Sequence, residues 1–100
     1  FLAVQGAFVV LTFDTAGRVT ARYELRAGGP QVAVEIPGGS IHAVAALEPD
    51  SVFFEVTPGP YTALADKDFA AWSPAEGQPG AADLEQWFRS AKLWDAWERG

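Results

Sequence analysis

From Phe1 to Thr57 apolar and polar positions alternate in short runs, and Gly, Pro or Asp breaks each run within a few residues. That pattern predicts an all-β sandwich or barrel. About six strand candidates follow, at residues 1–5, 7–13, 19–25, 31–36, 41–47 and 52–57. The turns between them carry their own chemistry: Asp14-Thr15-Ala16-Gly17, Gly28-Gly29-Pro30, Pro37-Gly38-Gly39-Ser40 and Glu48-Pro49-Asp50-Ser51. In the third candidate Val19, Ala21, Tyr23 and Leu25 fall on one face and Thr20, Arg22 and Glu24 on the other, which predicts a sheet with one wet side.

Beyond Pro58-Gly59-Pro60-Tyr61 the pattern changes. Ser73-Pro74 and Gln78-Pro79-Gly80 predict an irregular surface path, with one helical turn near residues 66–70. From Ala82 onward Leu84, Trp87, Phe88, Ala91 and Trp94 recur at helical spacing, so an amphipathic C-terminal helix is expected. Such a helix packs on the outside of the barrel or receives a partner, and the packed arrangement is expected here. Trp97 is expected to be the residue left exposed. The chain thus divides into a β-rich part, 1–61, and a loop and helix, 62–100.

Composition narrows the partners. The formal net charge is -6, and the seven basic residues are scattered, which argues against nucleic acid or an anionic membrane surface as partner. No apolar run approaches a membrane span. With no Cys there is neither a disulfide framework nor a thiolate zinc site, and the expected compartment is cytoplasmic. The chain opens at Phe1 inside a strand-like run, where an abrupt edge would leave backbone donors unpaired, so further residues are expected before it.

Three features carry possible chemistry. The first is His42, the sole histidine, placed by a Pro and Gly corner near the start of a strand. Alternation puts His42, Val44 and Ala46 on one face, expected to be the interior one, where apolar neighbours favour the neutral imidazole that a metal needs. The alternative is a core or rim histidine satisfied by a backbone carbonyl. The second is the carboxylates Glu35, Glu48 and Glu55, each a possible base or ligand oxygen, although Glu35 and Glu55 alternate with apolar residues and are expected on the polar face. The third is the aromatic set Phe53, Phe54, Tyr61, Phe69 and Trp72, which either lines a pocket mouth or belongs to the core.

Pro37-Gly38-Gly39-Ser40-Ile41-His42 resembles the second motif of the cupins, and Phe1-Leu2-Ala3-Val4-Gln5-Gly6 resembles the end of their first. Together with Asp14 to Val19, Val34-Glu35-Ile36-Pro37, Ala46-Leu47-Glu48-Pro49, Phe54-Glu55-Val56-Thr57 and the tail from Asp66 to Glu76, the chain resembles the WbuC family of small bacterial cupin metalloproteins up to about Arg89. Gln31 stands where that family has Gly, and Ala46 where the motif ends in Asn.

The resemblance implies a double-stranded β-helix, or jelly-roll barrel, that is incomplete at its N-terminal side and followed by a C-terminal α-helix. It implies a divalent metal, iron, manganese, nickel or zinc, with His42 as one ligand and the others upstream of Phe1. It implies a small oxygenated ligand, sugar-related and linked to bacterial surface polysaccharide, either turned over or merely bound and sensed. Tyr61 is the candidate acid or base. A homodimer is expected, since cupins commonly pair through their sheets.

Overall fold

The computed structural model describes residues 1–57, 70, 72–74 and 78–97. It is β-rich, with two antiparallel sheets and one helix: β1 (Leu2–Gln5), β2 (Ala7–Phe13), β3 (Val19–Arg26), β4 (Ile41–Ala46), β5 (Val52–Phe54) and α1 (Ala81–Ser90). One sheet has the order β3-β2-β4 and the other pairs β1 with β5. Tyr61 and Phe69, and most of the helical turn expected at 66–70, lie outside the described residues.

β2 explains the arrangement. Its sequence AFVVLTF is nearly continuous apolar, the pattern of a strand covered on both faces. Val9, Leu11 and Phe13 point into one cluster, completed by Val19, Ala45 and Ala91 and flanked by Trp72, Trp87 and Phe88. Phe8 and Val10 point into the other, with Ala3 and Leu25, flanked by Tyr23, Val34 and Val44. Helix α1 covers the first face, and the β1–β5 sheet with the 31–36 stretch covers the second.

Both coverings correct the expectation of one wet side. The pairing of β2 with β3 runs regularly to Thr12↔Ala21 and then jumps to Phe13↔Val19, so Thr20 is an extra residue in a β-bulge. Val19 therefore joins the helix-side cluster, whereas Tyr23 and Leu25 join the opposite one. Arg22 shares the helix side. Its guanidinium donates to the carbonyls of Ala91 at 2.8 Å, Arg89 at 3.0 Å and Phe88 at 3.3 Å. It thereby satisfies the free acceptors at the negative end of α1.

Helix α1 buries Leu84 and stops at Ser90, short of the expected Trp94, because the chain finds other partners. The Asp95 carboxylate accepts from the Lys92 backbone N–H at 2.9 Å. Trp94 N–H then donates to the Val19 carbonyl at 2.8 Å, and Val19 N–H to that of Asp95 at 2.7 Å. Trp94, with φ 71°, is consequently 62% exposed. Trp97, expected outside, is half-buried with its ring 5.5 Å from that of Trp87.

The 31–36 stretch is not a regular strand, although it runs beside β1 and is tied to it. Ala3 N–H donates to the Val32 carbonyl at 2.8 Å, and Val34 N–H to that of Phe1 at 2.9 Å. Its alternation still works, since Val32, Val34 and Ile36 all turn toward the cavity-side cluster. The corner between β1 and β2 needs Gly6, which has φ 75° and sits so close to Ser51 that a Cβ would overlap the hydroxyl. Ser51 fastens that corner to the next turn by donating to the Glu48 carbonyl at 2.8 Å and accepting from Ala7 N–H at 3.2 Å. No helix among the described residues is long and apolar enough to cross a membrane.

Candidate ligand cavity at His42

The corner that precedes β4 sets the site. Ser40 N–H donates to the Pro37 carbonyl at 3.3 Å, and Gly39 takes φ 82°, a left-handed conformation costly for residues with a Cβ. β4 then pairs along β2 from Phe13↔Ile41 to Phe8↔Ala46, with His42 opposite Thr12. Side chains of directly paired residues share a face. His42 therefore lies on the Val10 and Val44 side of the sheet, as the alternation predicts.

At this end, however, the space between the sheets is open. His42 is exposed, and Val44 and Ala46 deeper along the same face are half-buried. A cavity of about 830 Å³ begins here, walled by apolar groups of Phe1, Val34, Ile36, Phe54 and Val56. Glu35, Glu55 and Thr57 lie at its exposed margin, and no Lys or Arg lines it among the described residues. A largely apolar wall with a few polar groups suits a small organic ligand better than an ion alone.

The imidazole is oriented by two contacts. Its Nδ1 is 3.0 Å from the Ser40 carbonyl, and because a carbonyl only accepts, Nδ1 carries the proton. In the neutral ring Nε2 is then the nitrogen that carries the lone pair. The ring also meets the Phe1 ring edge-on, with centroids 5.7 Å apart. This bond is the one expected of a rim histidine satisfied by a backbone carbonyl, and it is also the way Nδ1 is bound in a histidine that ligates through Nε2. Yet among the described residues no three His, Cys, Asp or Glu side chains gather closely enough to hold an ion. His42 fits as one ligand, and the described residues do not complete a set.

The candidate carboxylates separate. Glu35 and Glu55 are exposed, as their alternation predicts, and both also border the cavity. Glu48 does not, because it pairs with Arg26 at the far end of β3. The aromatic set divides too. Phe54 lines the cavity, whereas Phe53, still 36% exposed, sets its ring 5.0 Å from that of Phe8. Trp72 lies on the opposite face of the sheet against Phe13, with centroids 5.0 Å apart. Sequence reasoning missed Phe1 and Val56 as cavity walls, since that role depends on β1 pairing with β5 across half the chain. No protein-family model, curated protein or solved structure matches this chain.

Proposed function

We propose that the chain is the ligand-binding part of a cupin-like jelly roll, in which His42 contributes one ligand to a divalent metal and the adjoining cavity receives a small oxygenated molecule. The carrying observation is that His42 stands at the mouth of an open cavity with Nδ1 held by Ser40 and, among the described residues, no hydrogen-bond partner at Nε2. The corner from Pro37 to His42, with its left-handed Gly39, supports the cupin reading. The remaining ligands of the set would come from residues other than those described. The metal, iron, manganese, nickel or zinc, would supply Lewis acidity or a bound water when present. The protein's own part is to orient the imidazole, to supply an apolar wall and to exclude water from one side of the ligand.

A second reading is a binding or sensing module without turnover. The exposure of Glu35 and Glu55 favours it, since neither carboxylate is held in the defined position that general acid or base work needs. In both readings the ligand class is sugar-related, on the strength of the motif resemblance.

The test is elemental analysis of the natural full-length protein beside its His42→Ala variant. Stoichiometric metal in the first and its loss from the second is the expected result. Equal metal content in both would remove His42 from the ligand set. Absence of metal from both would sink the metal reading and leave the cavity as a metal-free binding site.

A further inference from the structure

A second concavity of about 540 Å³ lies across the 36–40 turn from the His42 cavity, between that turn and the strands β2 and β3. Its polar character comes from the bulge at Thr20. In a regular strand Thr20 would point to the face opposite Ala21, toward the helix. The bulge turns it instead to the face of Thr12, and the two hydroxyls meet at 2.8 Å. Bulges recur where a strand must re-aim a side chain beside a functional site.

The hydroxyl pair is joined there by other groups of compatible chemistry. One hydroxyl of the pair must donate to the other, which leaves a donor and several lone pairs available. Asp14, at the end of β2, has its Oδ1 fixed by the backbone N–H groups of Ala16 at 3.0 Å and Arg18 at 2.9 Å, with Oδ2 free of partners among the described residues. Tyr23 brings a half-buried ring from β3, and Ser40 a hydroxyl from the turn. No Lys, Arg or His lines the groove among the described residues.

We propose that this groove is a binding site for a neutral polyhydroxyl ligand of the pyranose class. Sugar hydroxyls both donate and accept, as the Thr12 and Thr20 pair requires, and a fixed carboxylate accepts from them. The Tyr23 ring offers an apolar surface to the C–H face of a pyranose. An anion would meet the Asp14 charge with no cation to offset it. An apolar ligand would leave the hydroxyls and the carboxylate without partners. The groove adjoins the His42 cavity, with Ile36, Pro37, Gly39 and Ser40 common to both, but it does not rest on the metal reading.

The test is an amide NMR titration of the intact chain with neutral methyl pyranosides, using a uronate as the anionic comparator. Saturable shifts centred on Thr12, Thr20 and Tyr23 are expected, with Kd in the millimolar range and weaker binding of the uronate. Thr20→Val keeps the branched shape and removes the hydroxyl, and should weaken binding about tenfold, the worth of one good hydrogen bond. Thr12→Val, which removes the other hydroxyl of the pair, provides a second variant should Thr20→Val fail to fold. The proposal is overturned by shifts that do not saturate, by equal binding of the uronate, or by wild-type affinity in a folded Thr20→Val or Thr12→Val variant.

Discussion

The two faces of the β3-β2-β4 sheet are built from the same strands, and they meet different fates. On the helix side Val9, Leu11, Phe13 and Val19 are shielded along the whole length of β2 by Trp87, Phe88, Ala91 and Trp72. On the other side Phe8, Val10 and Leu25 are equally buried, but only at the end where Ala3 and Phe53 lie over them. Toward Thr12 and His42 that cover ends, and both concavities open there. One face is therefore closed throughout, while the other changes from core to open concavity within a few residues of one strand. Adjacent residues of β2 can thus have unrelated roles, because neighbours in a strand face opposite ways.

The largest way to break this comparison is on the closed face. Leu11 is fully buried and pairs with both Arg22 and Ala43, so nothing nearby can collapse cheaply into the space it fills. Leu11→Ala should destabilise by about 2 to 5 kcal/mol. Urea unfolding followed by circular dichroism measures it, and a cost below about 1 kcal/mol would mean that the helix-covered face is not the main core.

Arg22 supplies a smaller effect that sharpens the same contrast. Its side chain is 20% exposed, and its guanidinium ties β3 to the last carbonyls of α1. Arg22→Met, which retains an apolar stem, should cost about 1 to 2 kcal/mol by freeing those carbonyls. Hydrogen exchange should show the loss first as faster opening of residues 87–91, ahead of the strands. Uniform acceleration across the sheet would assign Arg22 to the core generally and not to the helix end.

The closed face was the more legible of the two. Leu84, Trp87, Phe88 and Ala91 at helical spacing marked the covering helix, although the nearly continuous apolar run of β2 was read only as one strand of a sheet with one wet side. The bulge was not legible, because Val19 to Leu25 alternates without a fault in sequence and only its pairing with β2 reveals the extra residue. The early helix end was hidden for a similar reason: Trp94 is in phase with the helix, while the Val19 carbonyl takes its N–H and the Asp95 carboxylate takes that of Lys92. At the candidate site, the position and face of His42 followed from the Pro and Gly corner plus alternation. Its exposure did not, since that depends on which distant segments roof the sheet.

His42 supplies the smallest stability effect and the most direct probe of the open face. Its side chain reaches solvent, and the groups it touches, the Ser40 carbonyl and the Phe1 ring edge, have alternatives. The carbonyl belongs to an exposed turn that water can reach, and Phe1 also packs on Phe53 with centroids 5.5 Å apart. Exposed residues outside caps, strained turns and buried networks seldom change stability by more than about 0.5 kcal/mol. His42→Ala should therefore leave the urea midpoint of the metal-free chain within that margin, with an unchanged slope. A loss comparable to that of Leu11→Ala would make His42 part of a closed core. The two faces would then be alike, and the cavity beside β4 would lose its standing as a binding surface.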